Sequence, residues 1–120
     1  MAIPITYSGR IRSIKHAISG IILMLKTQHN AWIHLTVTLA TISTAIILGI
    51  SQNEWCLIVI VIIIVWSAEA MNTAFEFLCD VASPEFHPLV KNAKDVAAGS
   101  VLISAIGSVI IGIFVFGKYL

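Results

Sequence analysis

Charge is scarce in this sequence. Asp, Glu, Lys and Arg make up 11% of its 120 residues, against roughly 25% in a soluble domain. Hydrophobic residues make up 58%, and the mean hydropathy is +0.98. So short a chain holds one domain and cannot bury that much apolar surface in a core of its own, so a bilayer is the solvent that fits. The net charge of +1 gives no footing for nucleic acid or another polyanion. Cysteine is scarce too. Cys56 and Cys79 stand 23 residues apart on one apolar segment, roughly 35 Å along a helix. A disulfide needs Cα atoms roughly 4.4–6.8 Å apart, so they do not bridge, and without a His or Cys ligand pattern both read as membrane packing. A secretory leader is also missing. "MAIPITYSGRIRSIKH" begins polar and basic, without an apolar core and cleavage site, and reads as a cytoplasmic anchor.

What is present is three apolar runs. Residues 32–50 contain no Asp, Glu, Lys or Arg, and residues 55–77 and 96–116 form two more spans of the length a bilayer needs. "SQNE" at 51–54 reads as a tight polar turn. Trp32 and Trp55 sit at span ends, where amphipathic rings are favoured. Arg10, Arg12, Lys15 and Lys26 precede the first span, and Lys91 and Lys94 lie between the second and third. Positive charge stays inside, which predicts a cytoplasmic N-terminus, a cytoplasmic loop over 81–95 and an external C-terminus in a multi-pass membrane protein. Before the spans, Ile11, Ile14, Ile18, Ile21, Ile22 and Leu25 recur at helical spacing with Arg10, Arg12, His16 and Ser19 elsewhere on the circle. That pattern predicts an amphipathic helix over 8–29 lying in the interface, with a fourth, weakly apolar span as the alternative. Ser100, Ser104, Ser108 and Gly112, at steps of four, let helices approach closely in lipid.

The second span breaks its own pattern. "VWSAEAMNTAFEFLCD" at 65–80 follows the run "CLIVIVIII" and carries Glu69, Asn72, Glu76 and Asp80. At 100° per residue these four lie within roughly 60° of one another. They form a stripe about 16 Å long, with Asp80 at the cytoplasmic end and Glu69 inside the hydrocarbon edge. A charge at that depth costs several kcal/mol unless it is solvated or paired. Further on, "SPEFHPLVKNAKD" supplies Glu85, His87, Lys91, Lys94 and Asp95, with Lys91, Lys94 and Asp95 on one helix face. Carboxylates can hold Mg²⁺ and lysine can neutralise phosphate, the parts that phosphoryl transfer requires. The same stripe would also serve a small oligomeric proton or cation conductor using Glu69 and Glu76. A third reading, neutral glutamates bonded between helices, is purely structural.

"EAMNTAFEFLCD" followed by "HPLVKNAKDVAAGSVL" resembles the signature of the prokaryotic diacylglycerol kinase family, which includes the undecaprenol kinases. The family pattern is E-x-x-N-S/T-A-x-E-x-x-x-D, then H-x-x-x-x-x-A-K-D, and every fixed position is matched. The resemblance extends over nearly the whole chain, through "IHL" at 33–35 and "EW" at 54–55. It implies an all-α membrane protein: an N-terminal interfacial helix plus three transmembrane helices, assembled as a homotrimeric bundle in the bacterial inner membrane. Active sites would be shared between subunits at the cytoplasmic face. The implied activity is transfer of the γ-phosphoryl of MgATP to a lipid hydroxyl, of diacylglycerol or undecaprenol, with Mg²⁺ as cofactor. Glu69 corresponds to the general base for the lipid hydroxyl, with Ala98 and Gly99 in the lipid site. Glu76 corresponds to a ligand of the metal–ATP unit, and Asn72, Lys94 and Asp95 to residues that organise phosphates and nucleotide, supported by His87 and Asp80.

Two departures bear on the nucleotide end. The family usually has Glu, a second metal ligand, where this chain has Gln28. An amide keeps an oxygen but loses the charge, so metal affinity is expected to fall. The family's "NFRIH" is here "NAWIH", with Trp32 in place of a base. One apparent motif carries nothing: "GIFVFGKY" at 112–119 nearly spells a phosphate loop, but Tyr119 replaces the hydroxyl residue and no strand–loop–helix context surrounds it.

Overall fold

A computed structural model describes residue 2 and residues 5–120. The described chain is helical: α1 (Tyr7–Thr27), α2 (His29–Leu48), α3 (Gln52–Ala82) and α4 (Pro88–Phe116), closed by one 3₁₀ turn, Gly117–Tyr119. Three of these, α2, α3 and α4 with its 3₁₀ extension, are long and apolar enough to cross a membrane.

Capping chemistry sets the ends. Thr6 begins α1, its hydroxyl accepting from the Gly9 amide at 3.0 Å. Gln28 is the one residue between α1 and α2, with extended backbone (φ −109°, ψ 115°), so the helix expected over 8–29 stops at 27. The Trp32 indole N–H donates to the Leu25 carbonyl at 2.7 Å and ties this corner shut. The first span ends at Leu48 rather than residue 50, because Gly49 turns left-handed at φ +63° and its amide returns to Ala45 and Ile46. A side chain is disfavoured there and glycine is not.

The expected turn at 51–54 is mostly helix. Ser51 and Glu54 form a reciprocal capping box, with Glu54 N donating to Ser51 Oγ at 3.3 Å and Ser51 N to Glu54 Oε1 at 3.0 Å. Two orphan amides at the helix start are satisfied in this way, and Gln52–Glu54 become the first turn of α3. The expected loop at 81–95 shrinks to Ser83–His87. Here His87 caps α4 through Nδ1, which accepts from the Leu89 amide at 3.1 Å, and Pro88 needs no amide donor at the first helical position. Lys91, Lys94 and Asp95 are therefore helical.

α3 and α4 make the most extensive contact, α2 lies along α3, and α1 touches the α2–α3 pair. Ser104, Gly107 and Ser108 face α3 across a groove shared with Leu57, Val61 and Ile64. Part of the small-residue stripe thus serves packing within the chain. The packed core is small and lies toward the 49–51 end: Ala45, Ile50, Ile58 and Val115, flanked by Trp55, Phe116 and Tyr119. Glu54 fastens the same end, accepting from Tyr119 Oη at 2.7 Å with the Lys118 ammonium 3.0 Å from its second oxygen. The "GKY" of the misleading loop motif is a clasp between the chain's end and the start of α3.

Most large apolar side chains point outward; Ile47 is 82% exposed and Phe114 75%. Surface of that kind needs lipid or another subunit against it. The molecule is also thin, 50 × 43 × 21 Å. At 31 residues, α3 is about 46 Å long, against about 30 Å of hydrocarbon, so its ends project.

Candidate active site

The acidic stripe runs down α3 toward the 83–87 connection. Glu69 is wholly buried, at 0% exposure, and Asn72 and Thr73 are nearly so at 5% each. The Thr73 hydroxyl donates back to the Glu69 carbonyl at 2.9 Å. Glu69 Oε2 lies 3.2 Å from His34 Nε2 on α2, while Oε1 has no partner, and neither has the side-chain oxygen of Asn72. Leaving a buried polar atom unbonded costs about 1–3 kcal/mol, so two within one helical turn are too many for a merely structural stripe. The Asn72 amide donates weakly to Glu76 Oε1, at 3.4 Å. Glu76 is half-buried and about 10 Å along the helix from Glu69.

At the 83–87 end, the Lys94 ammonium donates to Asp80 Oδ1 at 2.8 Å, bridging α4 to α3. Lys91 pairs with Asp95 at 2.6 Å on α4 itself. Both pairs are largely exposed, so screening by water makes each worth little to stability. Together they place two cations and two carboxylates near the Ser83–His87 end of α3 and α4.

A cleft of about 280 Å³ lies between α2, α3 and α4, lined by Asn30, His34, Asn72, Ala98, Val101 and Leu102. Ala98 thus shares a wall with Asn72. Gly99 has open space beside it, where a Cβ would meet nothing within 4 Å. Glu69 is not among the residues lining the cleft; His34 and Asn72 stand in front of it. Gln28, at the α1–α2 corner, has its amide on Thr27 Oγ1 at 3.3 Å. His87 is held by its capping role.

The residue missed by sequence reasoning is His34. Its signs were a titratable ring inside a run free of Asp, Glu, Lys and Arg and its place in the "IHL" of the family resemblance, neither of which assigned it a role. Around it, Trp66 presents an edge-to-face contact with centroids 6.2 Å apart at 62°, and the Trp66 indole donates to Thr38 Oγ1 at 2.9 Å. A polar belt thus joins the first half of α2 to α3.

These features define an all-helical membrane protein whose central helix carries a buried acid, Glu69, next to a cleft. The family model for prokaryotic diacylglycerol kinase matches residues 15–116. The undecaprenol kinase of Bacillus subtilis is 36% identical over 105 residues, covering 88% of this chain and 85% of that protein. A diacylglycerol kinase of Synechocystis is 35% identical over 101 residues, covering 83% of this chain and 58% of its own length. A diacylglycerol kinase of Pseudomonas aeruginosa is 35% identical over 63 residues, 52% of this chain and 51% of that one. The chain belongs to the prokaryotic diacylglycerol kinase family. It is a phosphotransferase with an alcohol acceptor, of the diacylglycerol/undecaprenol kinase type.

Proposed function

We propose that the protein transfers the γ-phosphoryl of MgATP to the primary hydroxyl of a membrane lipid at the cytoplasmic face of the bacterial inner membrane. The observation that carries this is Glu69: a carboxylate with no solvent exposure, one oxygen unpartnered, next to a cleft and within the helix Gln52–Ala82. Glu69 drives removal of the hydroxyl proton as the lipid oxygen bonds to the γ-phosphorus and the bond to ADP breaks. Asn72, Glu76, Asp80, Lys94 and Asp95 hold the nucleotide, with His87 fixing the turn that brings α4 alongside. Ala98 and Gly99 flank the lipid. Positioning and charge neutralisation supply most of the acceleration, as in other phosphoryl transfers.

The donor set suits magnesium that arrives with ATP. Among the described residues no three His, Cys, Asp or Glu gather into a metal site, and Mg²⁺ is commonly held by one or two carboxylates plus phosphate oxygens. Glu76 would hold it, with the Gln28 carbonyl oxygen as a second ligand, and the ion would neutralise phosphate charge.

Assembly completes the site. A body 21 Å thick cannot enclose ATP and a lipid, so we assign a homotrimer with sites shared between subunits. α1 lies in the interface with Ile11, Ile14, Ile18 and Ile21 toward lipid, and the N-terminus and Ser83–His87 connection face the cytoplasm. The chain is one kinase domain over 1–120. Undecaprenol is the favoured acceptor, because the relative matched along most of its own length is an undecaprenol kinase. Membership of a kinase family argues against the ion-conducting alternative.

The test is purified protein in mixed micelles with γ-labelled ATP and Mg²⁺. Label should enter undecaprenol faster than diacylglycerol. Preference for diacylglycerol would change the acceptor, and no labelled lipid with either, or with related alcohols, would overturn the kinase reading. Mixing Glu69→Gln with Lys94→Ala subunits should restore part of the activity if sites are shared.

A further inference from the structure

The corner between α1 and α2 is a single residue. Gln28 has extended backbone between two helices, so it is a pivot, and α1 is a 21-residue lever upon it. Because the chain leaves helical geometry there, the Leu25 carbonyl receives no backbone amide, the ordinary state of a helix's last turn. The Trp32 indole supplies the donor from the far side of the pivot, at 2.7 Å. A tryptophan at a membrane interface usually offers its N–H to water or headgroups. Here the N–H is committed inside the chain.

Little else ties α1 to its own chain. Among the described residues this is the sole hydrogen bond between α1 and another helix, and no ion pair involves α1. Beyond the corner, α1 faces α3 across an open groove of about 300 Å³, with Ala17 and Gly20 on one side and Ala70, Thr73 and Ala74 on the other. A Cβ on Gly20 would meet nothing within 4 Å. The angle of α1 is therefore set at its C-terminal end, by one indole, with Met24 and Ala31 buried on either side of the pivot.

The group that this corner carries is Gln28. Its side-chain amide donates to Thr27 Oγ1 at 3.3 Å, and the Thr27 hydroxyl donates to the Leu23 carbonyl at 2.8 Å. The Gln28 side-chain oxygen remains as the available acceptor. A carboxylate draws a metal–nucleotide unit from a distance by its charge. An amide oxygen has only a dipole, so its contribution depends on being in place beforehand. The two departures from the family pattern thus meet at one hinge: the residue that lacks the charge stands one helical turn from the residue that stops the hinge from moving.

We propose that Trp32 is a positioning residue for the nucleotide end, holding the α1–α2 corner so that the Gln28 oxygen meets the metal–ATP unit. This deepens the kinase reading and rests on it. Trp32 acts through Gln28 and not by touching the nucleotide.

Two replacements isolate the N–H. Trp32→Phe keeps an aromatic ring at the interface. 3-Benzothienylalanine in place of Trp32, installed by nonsense suppression, keeps the shape of the indole and puts sulfur where the N–H was. With either, affinity for a non-hydrolysable MgATP analogue should fall by about 2- to 10-fold, the range for one neutral hydrogen bond. KM for MgATP should rise in parallel while kcat stays near wild type. Amide hydrogen exchange should quicken over α1 and not over α3 or α4. In a Gln28→Ala background, Trp32→Phe should have no further effect on analogue affinity, because residues that act as a unit are not additive. Three results would each overturn the proposal: analogue affinity unchanged by both replacements, exchange that quickens throughout the molecule, or a loss as large with Gln28→Ala as without it. The exchange measurement needs no turnover. A wild type that phosphorylates no lipid defeats the kinase reading, and exchange still reports whether the indole holds α1; an active wild type with unchanged affinity in both replacements defeats this inference alone.

Discussion

Glu54 and Glu69 stand on the same helix, both buried, and their surroundings could hardly differ more. Glu54 belongs to the first turn of α3. One oxygen accepts from the Ser51 amide and the Tyr119 hydroxyl; the other has the Lys118 ammonium 3.0 Å away, within ion-pair range though not aligned as a hydrogen bond. Glu69, four turns further on, has His34 on one oxygen and nothing on the other. An acid surrounded by donors and a cation holds structure together, and its energy is spent when the chain folds. An acid kept with a spare acceptor in a nearly dry place has a capacity that folding leaves unused, and burial makes that capacity costly to retain.

Four substitutions test this difference, in falling order of effect. Glu69→Gln keeps shape and some hydrogen bonding but loses the charge. Turnover with a lipid alcohol should drop by about 10²–10⁴-fold with the thermal midpoint close to wild type. A loss of under tenfold in the lipid assay would place Glu69 with Glu54 among structural acids. Glu76→Gln should slow turnover and also weaken MgATP binding, by about 10- to 100-fold if one charge-assisted interaction of roughly 1.5–3 kcal/mol is lost; an unaltered nucleotide isotherm would remove Glu76 from the phosphate end. Gln28→Glu restores a charged oxygen, and the Mg²⁺ concentration for half-maximal rate should fall a few-fold, whereas an unchanged titration means that Gln28 lies outside the metal shell. Glu54→Gln should have the smallest effect on chemistry. The α3–α4 clasp loosens, the unfolding midpoint in detergent drops by several degrees, and the rate per folded molecule stays at the wild-type value.

The stripe on α3 was legible because helical periodicity is local: Glu69, Asn72, Glu76 and Asp80 share a face in any α-helix. The apolar runs of α2, α3 and α4 were legible for the same reason. Their ends were not, because caps outweigh hydropathy there. Ser51 and Glu54 turn a polar tetrapeptide into helix, Gly49 stops α2 early, and His87 with Pro88 starts α4 eight residues before the apolar run. Two contacts were hidden altogether. His34 meets Glu69 across 35 residues and Tyr119 meets Glu54 across 65, and no local pattern encodes which acid a distant ring will find. Both partners are polar residues stranded in or beside apolar runs, a mark worth pursuing in any membrane sequence. Trp32 shows the converse: a departure from the family pattern that read as a lost charge serves as a bolt between α1 and α2.

In the proposed mechanism the deep acid, Glu69, serves the lipid and the shallow acid, Glu76, serves the nucleotide. Binding of a non-hydrolysable MgATP analogue to purified Glu69→Gln and Glu76→Gln proteins tests it most directly. The isotherm should stay close to wild type for Glu69→Gln and weaken for Glu76→Gln; the reverse order would mean that the two roles are exchanged.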